Sequence, residues 1–79
     1  MKLEVHLFAT LGPYLPAGAQ GDGAVMALPD GATVDEVIQA LRIPPDLPFM
    51  TVVNGHDADS GQVLAEGDVI AIFPPLVGG

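Results

Sequence analysis

Only one segment of this 79-residue chain has the pattern of an amphipathic helix, which limits the folds the chain can adopt. Thr33 and Glu36 form a capping box, in which each side chain can accept a hydrogen bond from the other's backbone N–H. Apolar residues recur at helical spacing on one side of the segment: Val34, Val37, Ile38 and Leu41. Pro44-Pro45 prevents the helix from continuing, because neither residue has an N–H to donate. Such a helix needs a sheet against which to bury its apolar side.

Strand-like segments lie before and after that helix. Those with the alternation or the β-branched content of strands are 3–9, 24–28, 49–53 and 69–73. The Gly- and Pro-rich segment 10–23 predicts a long loop, Asn54-Gly55 predicts a tight reversal, and Val63-Leu64 is expected to return briefly to the core. This order of elements predicts an α+β fold of the β-grasp (ubiquitin-like) type, a mixed sheet of about four to five strands with one main helix on one face. We expect one domain over 1–73 and an extended, flexible tail over 74–79.

The chain is strongly acidic and contains no cysteine. Ten Asp and Glu residues against two basic residues give a formal net charge of −8, which would repel nucleic-acid phosphates and anionic lipids. Without cysteine, any sulfur that the chain handles must be attached to a group other than a thiol side chain. No apolar run approaches the ~20 residues of a membrane span. We expect no nucleic-acid partner, no membrane contact and a cytoplasmic location.

The segment after the last predicted strand combines stiffness, apolar contacts and flexibility. Pro74-Pro75 favours an extended backbone that cannot join a sheet, and Leu76-Val77 offers apolar contacts to a partner. Gly78-Gly79 has no Cβ atoms and can enter a channel too narrow for side chains. We therefore expect the C-terminal carboxylate of Gly79 to be delivered into a partner's active site. The alternative is that the two glycines are a frayed end without function.

A terminal carboxylate would need chemical activation before it could react. Its negative charge is delocalised and its oxygen is a poor leaving group, so it must first become a mixed anhydride such as an acyl-adenylate. The chain itself has no Walker A motif, because its only lysine is Lys2, and its loop glycines do not match the dinucleotide-binding spacing. We expect this chain to bind no cofactor and a separate activating enzyme to use ATP.

Five motifs spread over essentially the whole chain point to one family. They are VHLFA at 5–9, DGATV at 30–34, VVNG at 52–55, EGD at 66–68 and FPPLVGG at 73–79. With these motifs the chain resembles the sulfur-carrier family of molybdopterin synthase small subunits and their thiazole-pathway relatives (MoaD/ThiS). The closing heptad is the most specific of the five. The resemblance also implies that the first and last strands lie side by side and parallel in the middle of the sheet.

The resemblance implies three protein partners. An E1-like adenylyltransferase would adenylate Gly79, a sulfurtransferase would provide the sulfur of a thiocarboxylate, and the large catalytic subunit of molybdopterin synthase would receive the tail. The chain would then be no enzyme by itself but the small, sulfur-donating subunit of a two-component synthase. Pro74-Pro75 resembles the molybdopterin branch more than the thiazole branch. Two alternatives stay open: a sulfur carrier for thiazole, cysteine or tRNA thiolation, and a ubiquitin-like modifier conjugated through Gly79.

Alternation in the last predicted strand separates two faces. Ile70 and Ile72 are predicted to point into the core, whereas Val69, Ala71 and Phe73 point outward, beside Phe8 if the first and last strands are neighbours. The expected partner-binding residues are the two phenylalanines and the start of the tail: Phe8, Phe73, Pro74, Pro75, Leu76 and Val77. The alternative is that Phe8 or Phe73 closes a small second cluster under the long loop.

Two further sets of polar residues are candidates for a metal site or a catalytic base. The possible metal ligands are His56, Asp57, Asp59 and Asp68, of which Asp57-x-Asp59 opens like a calcium loop and Asp68 falls at its twelfth position. The spacing fails, because Gly61 and Gln62 stand where that loop needs a ligand and a glycine. We therefore expect no metal and a solvated hairpin loop. His6 is predicted to be a surface residue on the outer face of a strand and not a base.

Overall fold

The computed structural model describes residues 1–44 and 46–74. Its strands are β1 (Lys2–Leu7), β2 (Gly23–Ala27), β3 (Met50–Val53), β4 (His56–Asp57) and β5 (Val69–Phe73). Its helices are the 3-10 helix η1 (Ala9–Tyr14) and the α-helix α1 (Val34–Ala40). The strands form one five-stranded mixed sheet in the order β2-β1-β5-β3-β4. This is the ubiquitin-like β-grasp fold, which confirms the predicted fold class.

The two central strands of the sheet are β1 and β5, which pair in parallel as expected. A parallel pair needs a long crossover, which the chain provides between Leu7 and Val69 with α1 inside it. β1 also pairs antiparallel with β2, and β5 also pairs antiparallel with β3. The strand that precedes the predicted tail is therefore held by hydrogen bonds on both sides.

The core lies between α1 and one face of this sheet. Residues from β1, α1 and β5 dominate it: Leu3, Val5, Leu7, Val34, Val37, Ile38, Ile70 and Ile72. The inward orientation predicted for Ile70 and Ile72 is confirmed, because both side chains are 0% exposed. Burial of large aliphatic side chains of this kind is the main source of stability for a domain of this size.

Both ends of α1 are set by local hydrogen bonds. The hydroxyl oxygen of Thr33 accepts from the Glu36 N–H at 3.4 Å, which is one half of the predicted capping box. At the other end, the N–H groups of Arg42 and Ile43 donate to Gln39 and Ile38, and Arg42 has a φ of 61°. This Schellman pattern ends the helix before the prolines. Pro45 lies outside the described residues. No helix in the described part of the chain is long and apolar enough to cross a membrane.

The structure differs from the sequence prediction in three places. The first part of the predicted loop over 10–23 belongs to η1, which Leu11 anchors in the core with 2% exposure. The polar segment after Asn54-Gly55 contributes the short edge strand β4, which was not predicted. Leu64 is buried as expected, but the inward return predicted for Val63 is wrong, because its side chain is 63% exposed.

Candidate functional site

The central strand β5 leads directly into the predicted tail. Its last residue, Phe73, pairs with Met50 on β3, and the Phe8 N–H donates to the Ile72 carbonyl oxygen at 3.1 Å on the β1 side. Pro74 follows Phe73 and is half-buried. Five residues with a predicted role in the tail lie outside the described residues: Pro75, Leu76, Val77, Gly78 and Gly79. Their roles, including that of the Gly79 carboxylate, stay predictions.

The structure brings together the two phenylalanines that the sequence predicted to be neighbours. The ring centroids of Phe8 and Phe73 lie 6.2 Å apart, and their planes meet at 66°, an edge-to-face contact. Phe8 keeps 37% of its surface exposed, and Phe73 is half-buried. Neither ring joins the hydrophobic core or the partly buried residues packed against it. This placement favours the predicted outer-face pair over a second cluster under the loop.

The two phenylalanines belong to a larger apolar surface on the face opposite α1. We call it the open-face patch and define it by six residues: Phe8, Met50, Val52, Val69, Ala71 and Phe73. The strand registers place Met50 beside Phe73 and Val52 beside Ala71. Met50 is 43% exposed and Val69 38%, so the sheet offers apolar contacts to solvent next to the base of the tail. Exposed apolar surface of this kind is typical of docking sites.

A charged cluster lies beside the open-face patch, on the β1–β2 side. The Nε2 atom of His6 lies 2.5 Å from a Glu4 carboxylate oxygen, and its Nδ1 atom lies 3.3 Å from an Asp22 carboxylate oxygen. The hydrogen bonds to Glu4 and then to Asp22 raise the pKa of His6 above its ordinary value of 6.5, against a smaller opposing effect of desolvation. The protonated ring is therefore the form that this geometry favours.

This cluster is the feature that sequence reasoning missed. Glu4 and His6 are two residues apart on one strand, so alternation alone places them on the same face. Asp22 joins them only through the β1–β2 register, which sets His6 opposite Gly23. A search for acidic residues around each histidine would have found Glu4, but the Asp22 contact depends on a pairing that periodicity does not reveal.

Asp68, one of the acidic residues of the calcium-like sequence pattern, has a structural role. A carboxylate oxygen of Asp68 accepts from the Asn54 side-chain amide at 2.9 Å, and the other accepts from the Ala65 N–H at 2.9 Å. The Asn54 amide oxygen in turn accepts from the Val69 N–H at 2.9 Å. Asp68 thus ties two turns to the start of β5. Within 1–44 and 46–74 no group of three or more His, Cys, Asp or Glu side chains is arranged so that it could hold a metal ion.

Comparison with known proteins gives one family and a set of related folds. The model of the ThiS family matches residues 5–79, whereas no curated protein matches the chain. SAMP1 from Haloferax volcanii, the small archaeal modifier protein 1, is 29% identical, with all of both chains covered and a TM-score of 0.78.

Two further solved structures share the fold. A putative molybdopterin converting factor, subunit 1, from Pyrococcus furiosus is 27% identical, covers 95% of this chain and 98% of its own, and has a TM-score of 0.75. A complex of subunits 1 and 2 of the molybdopterin-converting factor from Helicobacter pylori is 22% identical over all of both chains, with a TM-score of 0.65. At that identity the last likeness concerns the fold alone.

Proposed function

The chain belongs to the ThiS family, and from this premise we propose that it carries sulfur as a thiocarboxylate on Gly79. We further propose that it donates this sulfur in molybdopterin biosynthesis, as the small subunit of a two-component synthase. The Pro74-Pro75 pair supports the molybdopterin branch, as does the 27% identity to the Pyrococcus furiosus protein named as a molybdopterin converting factor subunit.

The observation that carries the proposal is the position of the tail's base. β5 is bound on one side by β1 and on the other by β3, so Phe73 has a fixed position at the end of a central strand. Pro74 has no N–H with which to extend the ladder, so the chain can leave the sheet there. A rigid base next to an exposed apolar patch suits a segment that must be guided into another protein's active site.

The proposed chemistry proceeds in two steps on the terminal carboxylate. In the first step a Gly79 carboxylate oxygen attacks the α-phosphorus of ATP, which forms the acyl-adenylate and releases pyrophosphate. In the second step a hydrosulfide equivalent attacks the acyl carbon, which forms the C–S bond and expels AMP. Where the sulfur arrives as a persulfide, its terminal sulfur attacks the acyl carbon to give an acyl disulfide and expel AMP. A thiol then cleaves the S–S bond of that disulfide, which releases the thiocarboxylate and leaves the other sulfur in a disulfide with the thiol. Because the chain has no cysteine, the persulfide must belong to a separate sulfurtransferase.

The open-face patch is the docking surface in this proposal. It would bind an E1-like adenylyltransferase first and the large catalytic subunit of molybdopterin synthase afterwards. Phe8 and Phe73 are its aromatic anchors, since aromatic side chains that become buried at the centre of an interface often contribute most of the binding energy. The formal charge of −8 would steer the protein toward partners with basic surfaces.

The test is the intact mass of the protein after incubation with ATP, an E1-like enzyme and a sulfur donor. We expect a gain equal to the replacement of one oxygen atom by sulfur, located on Gly79 by fragmentation. Gly79→Ala should abolish or strongly reduce the gain. Gly61→Ala is the matched control, because an added Cβ at Gly61 meets no atom within 4 Å and the position is not strained. An inert tail predicts no mass gain in any variant, and that result would refute the proposal.

A second function, that of a ubiquitin-like protein modifier, is favoured by the likeness to the Haloferax volcanii modifier. It needs the same adenylation of Gly79 but ends in an amide bond to a lysine of a target. Lys2 is the only lysine of the chain, so polymers in which copies of this protein are conjugated to one another would be hard to build. Covalent adducts that resist thiol reduction and contain Gly79 joined to a lysine would identify the modifier. Sulfur transferred to a pterin, with no such adducts, would identify the carrier.

A further inference from the structure

His6 lies on the same face of the sheet as the open-face patch, between two of the smallest residues of the sheet. Its register partners are Gly23 on β2 and Ala71 on β5. A Cβ atom at Gly23 would lie 2.7 Å from the Cε1 atom of the imidazole, which shows how closely the ring lies against the Gly23 backbone. The ring therefore has little freedom to move toward β2.

Two carboxylates face the two ring nitrogens of His6. Glu4, on β1, contacts Nε2, and Asp22, in the turn before β2, contacts Nδ1. The third neighbouring element, β5, presents only uncharged residues to this face: Val69, Ala71 and Phe73. Both nitrogens can donate to a carboxylate only when the ring is an imidazolium. Loss of the proton leaves one nitrogen lone pair facing a carboxylate, which disfavours the observed arrangement.

The His6 ring is also linked to the docking surface through Phe8. The His6 and Phe8 rings are nearly parallel, with a 12° angle and 6.3 Å between centroids. Phe8 in turn contacts Phe73 edge to face at 6.2 Å. A continuous row of three rings thus runs from the two carboxylates to the residue before Pro74.

We infer that His6 is a positioning residue for docking: while protonated it holds Phe8 in its contact with Phe73, and loss of the proton weakens binding of the activating enzyme. The inference rests on the proposed function, because it takes the open-face patch as the docking surface. The physical reason is that a neutral His6 must turn or lose one carboxylate. Since Gly23 blocks movement on one side, the change is passed to the neighbouring Phe8.

The first test uses the free protein and NMR. The imidazole signals of His6 and His56 are followed across the pH range together with the ring protons of Phe8. We expect His6 to titrate above 6.5 and the Phe8 signals to move with the same midpoint. His6→Gln should make the Phe8 signals independent of pH, whereas His56→Gln, at an exposed position on β4, should leave their titration unchanged. Phe8 signals that stay constant while His6 titrates in the wild-type protein would overturn the inference.

The second test measures adenylation kinetics across the same pH range. At each pH the KM for the wild-type chain is divided by the KM for His6→Gln. This ratio cancels the pH dependence of the activating enzyme itself. The ratio should rise by about twofold as the pH rises past the His6 midpoint, the size expected when the ion pairs that hold the ring are screened by solvent, while the kcat ratio stays constant. A sulfur adduct with a KM ratio independent of pH would overturn the inference alone. Absence of the adduct at every pH would overturn the proposed function, and the inference with it.

Discussion

The two faces of β5 have opposite characters although they alternate along a single five-residue strand. Ile70 and Ile72 are 0% exposed, whereas Val69 on the other face is 38% exposed and Phe73 is half-buried. Every residue of the strand is apolar, so composition does not distinguish the faces. The difference arises because α1 covers only one side of the sheet. One face therefore stabilises the fold, and the other leaves apolar surface exposed to solvent.

A truncation on the buried face of β5 should have the largest effect on the free energy of unfolding. Ile72→Ala should lower the free energy of unfolding by about 2–5 kcal/mol, because it removes a fully buried side chain and leaves a cavity. For a domain of this size that is a large share of the total stability. Val69→Ala, the matched change on the open face, should lower it by less than about 1 kcal/mol. Urea titration of both variants checks this, and equal losses would show that the two faces do not differ.

A smaller effect is expected on binding when an aromatic side chain is removed from the open face. Phe8→Ala removes the edge-to-face contact with Phe73 and the ring surface that docking would bury, which together should contribute ~1.4 kcal/mol to binding. It should therefore raise the KM for adenylation by about tenfold. Its effect on stability should be small, since Phe8 is 37% exposed and outside the core. Val63→Ala, exposed but away from the open face, is the control and should leave the KM unchanged. A Phe8→Ala variant with unchanged KM would show that the patch is not where the enzyme binds.

The sequence was sufficient to predict the parts of the fold that depend on local pattern. Alternation separated Ile70 and Ile72 from the outward residues of β5, and Thr33 marked the start of α1. The parallel pairing of β1 and β5 came from the family resemblance, because periodicity contains no information on strand order. Residues 9–14 form a 3-10 helix with the same Gly and Pro content as a loop, so composition could not reveal it.

The candidate site was predictable only in part, for a related reason. The contact between Phe8 and Phe73 follows once β1 and β5 are neighbours, so the resemblance was enough to anticipate it. The contact between His6 and Asp22 needs the register of β1 against β2 and the absence of a side chain at Gly23. Neither condition can be derived from the spacing of the residues in the chain.

The smallest expected effect concerns the charge on His6 and its contribution to stability. The hydrogen bonds to Glu4 and Asp22 raise the pKa of His6 in the folded state above its ordinary value of 6.5. The protonated ring therefore stabilises the fold, and this contribution is fully present below pH 6.5. This contribution is lost as the pH rises from 6.5 through the higher folded pKa. The side chains of Glu4 and Asp22 are 52% and 55% exposed, so solvent screens the pairs and the loss should be about 0.5 kcal/mol or less. Urea titrations at several pH values should show the decline in the wild-type protein and in His56→Gln but not in His6→Gln. If His6→Gln showed the same decline in stability, another titratable group would be its cause. There would then be no basis for treating the open face as sensitive to pH.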